Sequence, residues 1–194
     1  MPLGASIVYG QGSSSGNGFR STLLSTLLTR SPNITFTGTI PHGNMSNNLC
    51  EAYPGKTISE VAALSLQDVS NLQPDWILVH LGTNDCVQGS EPAAAVERLK
   101  DFLGELRKHA PRAGVLVSTL VVNLRVGVCV DQFNGELKGI GMEGVEVVDM
   151  CRVRKEDIGR DGTHPTDGGY ETMAGVWAEA LGDRLGRRRV EWVG

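Results

Sequence analysis

Aromatic residues are scarce in this chain, at 5%, and no stretch approaches the ~18 uninterrupted apolar residues that a membrane-spanning helix needs. A soluble protein with no membrane partner is the expectation. A basic segment followed by an apolar leader is also missing, because Met1 runs directly into Pro2 and Gly4. The chain as given is therefore expected to be cytoplasmic, or secreted if the natural N-terminus was removed. Excess positive charge is absent: 18 Lys and Arg stand against 22 Asp and Glu, which leaves no electrostatic footprint for nucleic acid. The one basic run, Arg187-Arg188-Arg189, falls where a last helix should end and reads as a complement to the helix C-terminus. The four cysteines, Cys50, Cys86, Cys129 and Cys151, form no CxxC pair and show no metal spacing, which excludes a zinc site. An even count leaves three pairings open, and free thiols are the expectation for an intracellular chain. Gly10-x-Gly12 and Gly16-x-Gly18 are accompanied by no Walker lysine-serine pair and no GxGxxG ahead of a helix, so a nucleotide cradle is excluded as well.

What is present is the pattern of an α/β protein. Apolar runs with β-branched content lie at Met1–Leu3, Ile34–Ile40, Trp76–Leu81, Val115–Val122 and Val145–Val148, each followed by a loop or a helical pattern. Five strands alternating with helices imply a five-stranded parallel sheet covered on both faces. Apolar residues recur at helical spacing through Phe19, Leu23, Leu24, Leu27 and Leu28, through Val96, Leu99, Leu103 and Leu106, and through Tyr170, Met173, Trp177 and Leu181. Thr57-Ile58-Ser59-Glu60 reads as a capping box, Ser90-Glu91-Pro92 as an N-cap with proline in the first turn, and Gly114 as a helix stop. Asn123–Gly144 is long for a connection and only partly helical in pattern, around Gln132–Ile140, so a flap or short helix near the site is expected. With no repeat, low-complexity tract or linker, residues 1–194 read as a single domain.

In an open parallel sheet, ligands bind beyond the carboxyl ends of the strands, where strand-to-helix loops converge. Gly4-Ala5-Ser6, Gly82-Thr83-Asn84-Asp85 and Asp161-Gly162-Thr163-His164-Pro165 all fall there, with Gly55 of Pro54-Gly55-Lys56 on the same rim. These residues supply the parts of acyl transfer. A serine hydroxyl needs a histidine to take its proton, and the histidine needs a carboxylate to fix its tautomer; Ser6, His164 and Asp161 fit those roles. The developing oxyanion needs preorganised donors, which the N–H groups of Ser6 and Gly55 and the amide of Asn84 can provide.

Met1-Pro2-Leu3-Gly4-Ala5-Ser6-Ile7, Gly16-Asn17-Gly18-Phe19-Arg20, Pro54-Gly55-Lys56-Thr57-Ile58, Val79-His80-Leu81-Gly82-Thr83-Asn84-Asp85 and Asp161-Gly162-Thr163-His164-Pro165 resemble, in order and spacing, the conserved blocks of the SGNH (GDSL-like) hydrolases. The likeness runs over nearly the whole chain and is strongest to the branch of acetyl xylan esterase-type carbohydrate esterases. It implies a flavodoxin-like three-layer αβα sandwich, no cofactor and no metal, and hydrolysis of short acyl esters, acetylated carbohydrates or other small esters. The same triad would also serve an acyltransferase or thioesterase. One departure is Ala5, which stands where the family carries an acid just before the serine. A Ser6 turn held less firmly, or a catalytically impaired binding protein, is what that departure implies.

The remaining polar and aromatic residues, inside these blocks or outside them, read as structural. Asp85 is expected to be a hydrogen-bonding partner rather than a second catalytic acid, His80 a satisfied core histidine, and His42 and His109 surface groups. Trp76, Trp177 and Trp192 are expected to pack rather than to form a sugar platform.

Overall fold

The computed structural model describes residues 1–182, 184 and 185, so the arginine run at 187–189 and Trp192 lie outside the described residues. The order of elements is β1 (Pro2–Gly4), α1 (Ser6–Tyr9), α2 (Arg20–Leu28), β2 (Ile40–Pro41), β3 (Leu49–Ala52), α3 (Ile58–Leu72), β4 (Trp76–His80), α4 (Thr83–Val87), α5 (Pro92–His109), β5 (Gly114–Ser118), α6 (Gly127–Lys138), β6 (Val145–Val148), a 3-10 turn at Lys155–Asp157, and α7 (Asp167–Gly182).

Strands buried on both faces explain the near-continuous apolar runs. In β4 and β5, Ile77, Val79, Val115 and Val117 face one core, shared with Ile58, Val61, Val96, Leu99, Leu103 and Phe133 from α3, α5 and α6. Leu78 and Leu116 face the other, shared with Val8, Leu23, Leu27, Tyr170, Met173 and Trp177 from α1, α2 and α7. The result is the expected three-layer sandwich. Its sheet has six strands rather than five, in the order β2-β3-β1-β4-β5-β6, and β2 runs antiparallel to β3 at one edge.

The second strand is where the sequence misled. The β-branched run Ile34–Ile40 forms no regular strand until Ile40, and the parallel neighbour of β1 is Leu49-Cys50-Glu51-Ala52. That segment has no β-branched residue and a glutamate at its centre, which hid it. Glu51 is fully buried, and its carboxylate accepts from the Thr39 N–H at 2.9 Å, the Thr39 hydroxyl at 3.1 Å and the Tyr53 hydroxyl, so the buried charge is met by donors. Other boundaries shift for local reasons. β5 ends at Ser118 instead of running to Val122, and Gly114 opens β5 instead of ending a helix; a side chain there would strike the Trp76 ring, 2.3 Å from where its Cβ would be. Pro92 does occupy the first turn of α5, but the N-cap is Glu91. The Thr57/Glu60 capping box opens α3 as expected. The awkward segment contains a full twelve-residue helix, α6, starting well before Gln132.

Helix α6 also corrects the reading of the cysteines. Packing of α4 against α6 brings Cys86 and Cys129 to a Cα separation of 5.7 Å, and they form a disulfide across 43 residues; Cys50 and Cys151 are free. Closing a loop of that size restricts the unfolded chain by about 4 kcal/mol on the chain-entropy estimate. A Cys86→Ala, Cys129→Ala double variant is expected to melt about 10 °C lower than the parent. A melting temperature unchanged by the double substitution would show that the bridge contributes nothing to stability.

Candidate active site

In the strand order, successive parallel strands are added on opposite sides of β1: β3 on one side, β4 on the other. That reversal opens a crevice at the carboxyl ends of β1 and β4. Ser6 follows β1 directly as the first residue of α1, and Gly82-Thr83-Asn84 follows β4. Backbone bonds define the Ser6 turn: Tyr9 N–H donates to the Ala5 carbonyl, Gly10 and Gln11 N–H groups donate to the Ser6 carbonyl, and the Tyr53 N–H of the next loop donates to the Gly4 carbonyl. Gly10 ends this single helical turn at φ 95°, where a side chain would strike the Gly16 carbonyl.

His164 arrives from the other end of the chain, in the loop before α7. Its Nε2 lies 2.9 Å from Ser6 Oγ and its Nδ1 lies 2.6 Å from Asp161 Oδ2. A carboxylate can only accept, so Nδ1 carries the proton and Nε2 presents a lone pair to the serine hydroxyl. Ser6 is 8% exposed and the His164 side chain 12%, so the pair is largely shielded yet reachable. Partial burial acts to raise the Asp161 carboxyl, but hydrogen bonds from the backbone and ring of His164 and from the Thr163 N–H outweigh it and bring it to about 2. Asp161 is therefore ionised throughout the neutral range. Ser6, His164 and Asp161 thus form one unbroken hydrogen-bonded chain, an arrangement able to activate a hydroxyl nucleophile.

The expected oxyanion donors sit on the neighbouring strand ends. Asn84 Nδ2 donates one hydrogen to the Lys56 carbonyl at 2.8 Å, which ties its loop to the Gly55 loop and leaves the second amide hydrogen to a ligand. Gly55 is exposed at φ 80° with open space about its Cα. Asp85 is buried and structural, as expected: it accepts from the Ile58 N–H at the start of α3 and from Arg98.

A model of the GDSL-like Lipase/Acylhydrolase family matches residues 3–172. The chain belongs to this family. A multidomain esterase of Ruminococcus flavefaciens is 29% identical over 126 residues, 58% of this chain but only 16% of that protein's length. In fold the chain is similar to a Clostridium thermocellum family 3 carbohydrate esterase, with a TM-score of 0.85 and 23% identity over 95% of each chain. It is also similar to a carbohydrate esterase family 3 structure from Talaromyces cellulolyticus, with a TM-score of 0.81 and 19% identity over 94% of this chain and 95% of that one.

For this GDSL-like chain the structure adds supports that sequence reasoning missed. Gly12, set aside with the glycine pairs, sits at φ 91° against His164, whose Cβ lies 2.9 Å from where a Gly12 side chain would begin. Arg20 is fully buried and gathers the carbonyls of Tyr9, Gly16, His42 and Asn48 at 2.7–3.1 Å, joining the end of α1 to the β2–β3 hairpin. Asn123 holds the segment beyond β5 with its carbonyl oxygen accepting from Arg125 and Val126 N–H groups, while its amide reaches Thr163. The available signal for Asn123 was an asparagine directly after the apolar run ending Val121-Val122; Arg20, between Phe19 and Ser21, gave none. His42 also departs from a plain surface group, since its ring stacks on Tyr9 at 3.5 Å.

His80 is only half satisfied. It is 1% exposed, its Nδ1 meets Ser118 Oγ at 2.7 Å, and its Nε2 has no partner. Burial holds it neutral, lowering its pKa to about 4. An unfolded histidine titrates near 6.5, so below about pH 6.5 the unfolded chain takes up a proton that the folded one refuses. The contribution is complete above that pH and falls as the pH is lowered toward about 4, by about 3 kcal/mol in all. Urea unfolding at about pH 7 and about pH 4.5 is expected to show this loss in the parent and a smaller one in His80→Leu. Equal losses in both proteins would remove His80 as the source.

Proposed function

We propose that the chain is an esterase that hydrolyses short acyl esters, acetylated carbohydrates or other small esters, through an acyl-enzyme on Ser6. The observation that carries this reading is the unbroken Ser6–His164–Asp161 chain at the switch point of the sheet. In the first half-reaction Ser6 Oγ attacks the acyl carbonyl as its proton passes to His164 Nε2, and Asp161 stabilises the imidazolium. The oxyanion is held by the N–H groups of Ser6 and Gly55 and by the free hydrogen of the Asn84 amide. The alcohol leaves with the proton from His164. Water then attacks the acyl-serine with His164 as base, releasing the acid and restoring Ser6.

Family membership and a fold shared with carbohydrate esterases support an ester substrate. The intact contact between Ser6 and His164 favours a working nucleophile over a binding protein that has lost its chemistry, despite Ala5. The Cys86–Cys129 bridge favours a secreted setting over a cytoplasmic one, because such bonds persist in oxidising compartments. A panel of p-nitrophenyl esters from acetate to decanoate tests the reading. Turnover highest on acetate and falling with chain length is the expected result, and no hydrolysis of any ester would overturn it.

A further inference from the structure

His80 closes β4 and pairs in register with Gly4, two residues before Ser6. Its unpartnered Nε2 is the unusual feature, because a buried polar atom left without a hydrogen bond costs about 1–3 kcal/mol. A cavity of about 10 Å³ lies between the turn Ala5-Ser6-Ile7 and the segment His80-Leu81-Gly82-Thr83, with His80 in its wall. That is close to the volume of a single water, about 10–15 Å³ on this measure.

The chemistry of the ring requires an adaptable partner there. A neutral histidine has one N–H and one lone pair. If the Ser118 hydroxyl donates to Nδ1 at 2.7 Å, Nε2 carries the hydrogen and needs an acceptor. If instead Nδ1 donates and Ser118 turns its hydrogen to the Val79 carbonyl at 3.5 Å, Nε2 needs a donor. Ala5, Ile7 and Leu81 have only hydrocarbon side chains, and the hydroxyls of Ser6 and Thr83, which also line this cavity, make no hydrogen bond to Nε2. Water satisfies either tautomer, and Ala5, Ser6 and Ile7 of the Ser6 turn line the same cavity as His80.

We infer that His80 is a positioning residue for Ser6: its Nε2 holds one ordered water that bridges to the Ser6 turn and keeps Ser6 Oγ in line with His164. This rests on Ser6 being the nucleophile. The same atoms separate a positioning role from a merely structural one, since asparagine can mimic Nδ1 and keep Ser118 while glutamine reaches the place of Nε2.

In a high-resolution crystal structure, a water within about 3.2 Å of Nε2 and of a backbone atom of the Ser6 turn is expected. His80→Asn is expected to lower kcat on p-nitrophenyl acetate about tenfold with KM within about twofold, and His80→Gln to stay within about threefold of the parent. The rate at which a fluorophosphonate labels Ser6 should follow the same order without needing turnover. A dry Nε2, equal behaviour of the two variants, or a loss that follows melting temperature alone would overturn the inference. A parent that binds the water but hydrolyses no ester would instead overturn the esterase reading, and the labelling rates would still decide the role of His80.

Discussion

Ser6→Ala and His164→Ala are each expected to remove nearly all ester hydrolysis, by about 10⁴-fold or more in kcat, with the fold intact. The reason lies in the coupling of the two groups. Nε2 stands 2.9 Å from Ser6 Oγ, and in the proposed mechanism each group acts only through the other. The double variant is therefore expected to be no worse than the poorer single one, since groups that act as a unit do not add. Steady-state kinetics on p-nitrophenyl acetate, with melting curves to exclude misfolding, measure this. A double variant worse by the product of the two single losses would show that Ser6 and His164 act independently. Asp161→Asn should be damaging but less complete, because the backbone N–H groups of Thr163 and His164 still find an oxygen acceptor there.

The second large effect belongs to Asn84. Asn84→Ala is expected to lower kcat about 10²–10³-fold with little change in KM, because an oxyanion donor acts on the transition state more than on bound substrate. The structure sharpens the control. Asn84 also donates to the Lys56 carbonyl, so truncation both removes the oxyanion donor and unties the Gly55 loop. Asn84→Asp preserves the side-chain shape but replaces the donor by an acceptor, and it should lose as much kcat as the alanine variant. An aspartate variant with near-normal kcat would show that turnover needs neither the oxyanion donor nor the tether to the Lys56 carbonyl, because aspartate can supply neither hydrogen bond.

The parts of this protein legible in its sequence are those set by local or repetitive physics. Alternating apolar strands and amphipathic helices announced the layered α/β fold, and Thr57 with Glu60 marked the start of α3 correctly. Ser6, Asp161 and His164 could be named because the reaction demands those residue types at strand ends, and the structure brings them into contact across 158 residues. What stayed hidden depended on distant partners. The strand at Leu49–Ala52 looks wrong by propensity until Thr39 and Tyr53 are seen to satisfy Glu51. Cys86 and Cys129 give no spacing signal, and only the packing of α4 on α6 pairs them. Gly12 was set aside with the glycine pairs because its requirement is set by His164, far along the chain. Ala5 was read as a weakness of the Ser6 turn. Four backbone hydrogen bonds to the Gly4, Ala5 and Ser6 carbonyls run through that turn and Arg20 binds the carbonyl of Tyr9 at its end, contacts in which the side chain at position 5 takes no part.

Peptide-mapped mass spectrometry after treatment with a fluorophosphonate tests the central claim most directly, because the reagent forms a stable adduct only with a serine already activated for attack. A single adduct on the peptide carrying Ser6 is expected, absent in Ser6→Ala and strongly slowed in His164→Ala. An adduct on a different residue, or labelling of Ser6 at the same rate without His164, would contradict the account.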